Sequence, residues 1–267
     1  VSEGKLTLED RDSSRLPETQ IRRVVRRHYA KLAEPNQSCC GSRVEGTGEV
    51  MVPAESAASA LSCGSPLSQV VLRGGEVVLD LGSGGGVDVF RASKLVGSSG
   101  KVIGVDATPE MIFKARDLAE KYDYGNVEFR LGEIEHLPIE SNSTDLVISN
   151  CVINLVPDKA VAFREIYRAL KPGGRIVISD MVATGKSRKQ IDYEDWAACI
   201  AGAITTDEYR SLLQRTGFEN VYCTDEEHSI NDSCCSMNIP AKSVTWLATK
   251  PGEEVGRSDG RGIISPS

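Results

Sequence analysis

From residue 77 onward, short apolar runs alternate with amphipathic stretches. Val77–Leu81, Lys101–Asp106, Val127–Leu131, Asp145–Ser149 and Arg175–Ser179 are rich in Val, Ile and Leu. Such runs suit strands covered by helices on both faces. Between and after them, apolar residues at three- and four-residue spacing predict helices over 87–96, 109–122, 158–170 and 205–216. Alternation at these lengths implies parallel β-α-β units. Thr205 or Thr206 can cap the last helix and Gly217 can end it. Lys171-Pro172-Gly173-Gly174 reads as a turn before the fifth strand. Val221–Thr224 and Ser243–Thr249 read as strands that close the sheet as an antiparallel pair. The expected fold class is α/β, with a mostly parallel seven-stranded sheet and helices on both faces.

The first third reads differently. Residues 1–16 are polar, and a helix is expected from Pro17-Glu18. Ile21, Val24, Val25, Tyr29 and Leu32 form its apolar stripe. Arg22, Arg23, Arg26, Arg27 and Lys31 fall mostly on the other faces and read as a solvated surface. Residues 34–53 are loop-like, a short helix covers about Ala54–Leu61, and Gly64 and Pro66 mark its exit. Three parts are expected: an N-terminal helical and loop extension over 1–66, a main domain over 67–250, and a disordered tail over 251–267.

Composition narrows the partners. The chain has 267 residues and a formal net charge of -7. An acidic surface lacks the basic groups that displace counterions, so no nucleic-acid partner is expected. No apolar run approaches the roughly 20 residues of a membrane span. Val1 to Asp12 carries no signal-peptide core, so the cytoplasm is the expected compartment. The eight cysteines are then expected to be thiols. None is spaced as Cys-x-x-Cys. Small buried hydrophobes are one account of them; reactive or metal-binding groups are another.

The sharpest motif is Val77-Val78-Leu79-Asp80-Leu81-Gly82-Ser83-Gly84-Gly85-Gly86, which follows a strand and opens a helix. Gly82, Gly84 and Gly86 let the backbone approach a ligand closely. Related loops serve nicotinamide cofactors, so the loop alone does not decide. Asp80, directly ahead of it, can meet the cationic methionyl part of S-adenosylmethionine, whereas a pyrophosphate needs helix amides. Asp106 ends the next strand and can reach ribose hydroxyls, with Ala107 and Met111 following it. After the third strand, Glu133 can accept from an adenine amine and Ile134 can pack on the ring. Asn150 ends the fourth strand beside the same crevice.

Two sets of motifs carry a resemblance. VLDLGSGGG, GVD, GEIEHLP and KPGG, in that order, resemble the Rossmann-like class I methyltransferases over about 75–180. More narrowly, SCGSP at 62–66, SNCVINL at 149–155 and CIAGA at 199–203 resemble the arsenite methyltransferase family over roughly 20–220. The resemblance implies that Cys63, Cys151 and Cys199 bind trivalent arsenic. It also implies a fourth cysteine in the N-terminal loop, where Cys39 and Cys40 both qualify and Cys40 is preferred. It further implies thiol regeneration by glutathione or a thioredoxin-type reductant, with arsenite or its thiol conjugates as substrate. The longer animal-type members extend further, so most of their C-terminal domain is expected to be missing. Cys223, Cys234 and Cys235 match no motif of the family.

The implied chemistry is self-consistent. Trivalent arsenic is soft and prefers thiolates. Held by three sulfurs, it keeps a lone pair that can displace the sulfonium methyl without a general base, aided by alignment in a dry site. A disulfide between Cys63 and the N-terminal loop is one way for thiols to be consumed during turnover. Two rivals stand beside this reading: a methyltransferase for an organic small molecule, and a thiol protein that binds the metalloid without catalysis. A nicotinamide dehydrogenase lacks an evident catalytic His or Tyr-Lys pair.

Overall fold

The computed structural model describes residues 17–33, 52–57, 64–185, 196, 201–225 and 240–252. Cys39, Cys40, Cys63 and Cys199, and the expected tail beyond 252, lie outside these residues, as do Cys234 and Cys235. The elements are α1 (Glu18–Leu32), α2 (Ala54–Ala57), β1 (Val77–Leu81), α3 (Val87–Val96), β2 (Lys101–Asp106), α4 (Pro109–Lys121) and β3 (Val127–Leu131). They continue with β4 (Thr144–Asn150), α5 (Lys159–Ala169), β5 (Leu170–Ala183), α6 (Thr206–Thr216), β6 (Glu219–Asp225) and β7 (Ala241–Thr249). Single 3₁₀ turns cover Pro66–Gln69 and Ile153–Leu155.

The strands form one seven-stranded sheet in the order β3-β2-β1-β4-β5-β7-β6. Strands β1 to β5 run parallel; β7 is antiparallel to β5 and to β6. The order reverses between β1 and β4, which opens a crevice at the carboxyl ends of the strands. Register places Leu81 beside Ser149, and Asn150 beside Ser179. The glycine loop and the segment after β4 therefore leave the sheet side by side.

Side-chain alternation along each strand builds a core on either face. Leu79, Leu81, Val147, Ile176 and Ile178 pack with Phe163 and Ile166 of α5 and Leu213 of α6. Val78, Leu146, Ile148 and Val177 pack with Val89 and Phe90 of α3 and Ile112 and Ala115 of α4. Each fully buried side chain of this size contributes about 1.5–3 kcal/mol. On β7, Trp246 stacks on Tyr209 of α6, 4.9 Å between ring centroids. Thr205 and Glu208 form a capping box at the start of α6, and Gly217 ends it at φ 107°.

The structure departs from the sequence pattern at β5, which begins at Leu170 rather than Arg175. Lys171–Gly174 is held in the sheet as an irregularity instead of standing apart as a turn. Gly173 N donates to Lys250 O at 3.0 Å, Lys250 N donates to Gly174 O at 2.8 Å, and Lys171 pairs with Asp145 at 2.8 Å. Among the described residues no helix is long and apolar enough to cross a membrane.

Candidate active site

The glycine loop turns because its residues adopt backbone conformations that side chains resist. Gly82 sits at φ 66°, and a Cβ there would lie 2.3 Å from a methyl of Val152. Gly84 sits at φ 51°, and a Cβ there would meet nothing within 4 Å. The first glycine is required by packing; the second borders open space. The amides of Gly82 and Ser83 donate to Val105 O at 2.7 and 3.1 Å, tying the loop to β2. The Ser83 hydroxyl is buried without a partner.

Three carboxylates gather around this loop. Asp106 accepts from Gly84 N at 2.9 Å and Thr108 N at 2.8 Å. Asp88, in the first turn of α3, pairs with Arg91 at 3.4 Å and accepts from the Asn150 side chain. Asp80 is 4% exposed, and its carboxyl makes no hydrogen bond among the described residues. Burial, then the charges of Asp88 and Asp106, push its carboxyl well above the usual carboxylate range. Burial also raises Asp88 and Asp106, against Arg91 in the one case and backbone amides in the other. A buried carboxylate without a partner is costly. A ligand that brings positive charge to Asp80, and hydroxyls to Asp106 and Ser83, suits this cradle.

The opposite rim is the stretch after β3. Ile134 is buried, as is Met111 at the start of α4, and Ala107 is half-buried. Glu133 pairs with Arg26 of α1, and Glu135 is buried against Arg22 at 3.0 Å. Part of the basic run read as a solvated surface is thus turned onto this rim. The apolar stripe seats α1 so that every fourth residue beside it faces the two glutamates.

The third component is the segment after β4. Cys151 is 4% exposed and sits at φ 61°, a left-handed conformation unusual for a side-chain-bearing residue. Its amide donates to Ser179 O at 2.8 Å, and it is disulfide-bonded, where the sequence reading expected a thiol. Chain segments remote in sequence close on this point. Gly64, which follows Cys63, accepts from Asn150 Nδ2 at 2.9 Å through its carbonyl. Trp196 Nε1 donates to Leu155 O at 3.1 Å. Gly202 packs so tightly that a Cβ there would lie 1.9 Å from Asn154 O. Residues flanking Cys63 and Cys199 therefore touch the residues flanking Cys151.

The structure brings together Asp80, Gly82, Ser83, Gly84, Gly86, Asp106 and Asn150 at one sheet edge, with Glu133 and Ile134 on the rim. Asp88 also borders the crevice, and Asn154 pairs with Asp180 beside the segment after Cys151; the sequence reading singled out none of the three. Asp88 had a signal, since the first turn of a helix behind a glycine loop faces the crevice. Asn154 lay in the SNCVINL string, but nothing in its spacing tied it to Asp180.

A glycine-lined, acidic crevice at the reversal of such a sheet suits a Rossmann-like methyltransferase, and the match of the methyltransferase domain family model to residues 72–217 places the chain in that class. Within that class the chain belongs to the arsenite methyltransferase family. It is 42% identical to the arsenite methyltransferase of Halobacterium salinarum over 283 residues, covering 95% of this chain and 71% of that protein. It is 41% identical to the human arsenite methyltransferase over 156 residues, covering 53% of this chain and 40% of the human protein. The structure resembles that of an arsenic (III) S-adenosylmethionine methyltransferase from Chlamydomonas reinhardtii. The TM-score is 0.58 at 31% identity, over 75% of this chain and 71% of that one. The chain spans most of its halobacterial relative and under half of its human one.

Proposed function

We propose that this protein transfers the methyl group of S-adenosylmethionine to trivalent arsenic held by the thiolates of Cys63, Cys151 and Cys199. The observation that carries this reading is the meeting of three chain segments at the end of β4: Gly64 on Asn150, Trp196 on Leu155, and Gly202 on Asn154. The disulfide at Cys151 supports it, because a second sulfur has to reach that position. Cys40 or Cys39 is the proposed fourth thiol.

S-adenosylmethionine supplies, when bound, an electrophilic methyl group on a sulfonium. Asp80 would receive the cationic methionyl end, whose positive charge would favour the carboxylate that burial disfavours. Asp106 would take ribose hydroxyls, with Gly84, which borders open space, leaving room for a close backbone approach, while Gly82 and Gly86 are packed against Val152 and Phe129 and shape the loop. Glu133, Ile134, Ala107 and Met111 would border the adenine, and Asn150 would lie between cofactor and substrate. The substrate's arsenic lone pair forms the new As–C bond, and the methyl–sulfur bond breaks with its electron pair going to sulfur. Arsenic is thereby formally oxidised from III to V. Release of a trivalent product needs two electrons, supplied by a thiol pair that becomes a disulfide. Glutathione or a thioredoxin-type protein would restore the thiols, which suits the reducing cytoplasm. No side chain is required as a base, since the nucleophile carries no proton. The protein contributes alignment and exclusion of water.

The test is mass spectrometry of products after incubating the reduced full chain with arsenite, S-adenosylmethionine and glutathione. Methylated arsenic that appears only when all components are present is the expected result. Unmethylated arsenite with intact cofactor binding would overturn the reading.

A further inference from the structure

We propose that Asn154, held by Asp180 and Met181 at the end of β5, is a positioning residue that keeps the Cys151 and Cys199 segments together as one thiol surface. The proposal deepens the arsenite reading and rests on it for the identity of the substrate. Asn154 is fully buried. Its Nδ2 donates to Asp180 Oδ1 at 2.8 Å and to Met181 O at 2.7 Å, so both amide hydrogens are used. Its main-chain carbonyl oxygen has a different set of partners. It accepts from Lys159 Nζ at 3.3 Å and forms the floor on which Gly202 lies. One residue thus joins β5 to the turn after Cys151 through its side chain, and to the segment after Cys199 through its backbone.

Neighbouring contacts converge on the same junction. Lys159 Nζ also donates to Val156 O at 3.2 Å and lies 6.0 Å from the centre of the Trp196 ring. Trp196 in turn donates to Leu155 O. Beyond Gly202 the chain returns to β5, where Ala183 N donates to Ile204 O at 3.0 Å and Ala183 bridges to Thr205. The end of β5 therefore anchors both cysteine segments, one through Asn154 and one through Ala183.

A purely structural explanation would place an apolar side chain here. Burying an amide against a carboxylate is favourable only when both are partnered, and this pair is incompletely so: Asn154 Oδ1, Asp180 Oδ2 and the Tyr209 hydroxyl are buried without partners. What the polar pair offers, and a leucine would not, is a fixed direction for the turn that begins at the left-handed Cys151. No alanine or larger residue fits at position 202 unless Asn154 moves, so the two segments hold each other at one separation.

The test compares wild type with Asn154→Ala, Asn154→Ser, Gly202→Ala and Asp180→Asn, all as reduced full chains. Three readouts are taken: arsenite affinity, S-adenosylmethionine affinity by calorimetry, and cross-linking of Cys151 to Cys199 by a short bifunctional thiol reagent mapped by peptide mass spectrometry. The last uses no arsenic. Asn154→Ala, Asn154→Ser and Gly202→Ala are each expected to weaken arsenite binding about tenfold or more and to lower the cross-link yield. Cofactor affinity should stay within about twofold. Asp180→Asn, which keeps an acceptor for Asn154, should recover most of both. Unchanged cross-linking and arsenite affinity in the folded variants would overturn the positioning role, as would a parallel loss of cofactor and arsenite binding. If wild type cross-links efficiently but never methylates arsenite, the proposed reaction fails while the positioning role stands.

Discussion

The two sides of the crevice are made in different ways. On the β1–β2 side, the residues that face the cofactor space come from one β-α-β unit: Asp80, the loop 82–86, Asp88 and Asp106. On the β4–β5 side, the proposed thiol surface draws on segments around 64, 151, 180, 196 and 202. The first side is held by backbone hydrogen bonds inside a regular motif, such as Gly82 and Ser83 on Val105. The second is held by side chains that cross between remote segments, such as Asn150 on Gly64 and Trp196 on Leu155. A local motif can bind a cofactor common to many reactions. On the proposed reading, the composite side is where a particular acceptor would be chosen, because each contributing segment can vary separately.

This contrast can be broken most sharply at Cys151. Cys151→Ser is expected to lower arsenite methylation at least about a hundredfold, by losing a ligand that fixes the reacting atom. S-adenosylmethionine affinity by calorimetry should be unchanged; equal loss of both would mean the two sides do not function separately. The converse variant is Asp80→Asn. Removing a charge-assisted contact to a cation should weaken S-adenosylmethionine binding by about ten- to a hundredfold. Arsenite binding to the reduced protein should hold.

Gly82→Ala probes where the two sides touch, since the added Cβ would collide with Val152, next to Cys151. The left-handed backbone and the clash together should cost about 1–3 kcal/mol, read as a lower midpoint in thermal or denaturant unfolding. Here both affinities should fall together, unlike at Asp80 or Cys151.

The smallest effect concerns Asp180, whose burial raises its carboxyl to about 7. Its folded pKa exceeds that of the unfolded chain, so the folded state favours the protonated form. Stability from this group is fully present below about pH 4 and is lost as pH rises through about 7. Asp180→Asn removes that loss. Relative to wild type, the variant should gain stability between pH 5 and pH 8, measured by denaturant unfolding at each pH. A difference that is flat across this range would show that Asp180 does not titrate as its burial implies.

The cofactor side was legible because its chemistry lies in short, ordered strings. A strand, a glycine loop and an acidic residue after the next strand can be placed by periodicity alone, and β1, α3 and β2 have the expected bounds. The thiol side was visible only as resemblance of SCGSP, SNCVINL and CIAGA to a family, because no spacing rule brings residue 64 to residue 150. Asn154 shows the limit. Nothing in its neighbouring residues points to its partners, Asp180 and Met181, which lie on a strand 26 and 27 residues away. The ion pairs from α1 to Glu133 and Glu135 were hidden for the same reason. A helical stripe tells which face is buried, not which loop the other face meets.

X-ray absorption at the arsenic edge, on the reduced full chain loaded with arsenite, measures the central claim at the atom concerned. The account predicts an all-sulfur shell of three ligands in wild type, with one sulfur lost in Cys151→Ser. An oxygen-dominated shell in wild type, or a sulfur shell unaffected by that substitution, would contradict it.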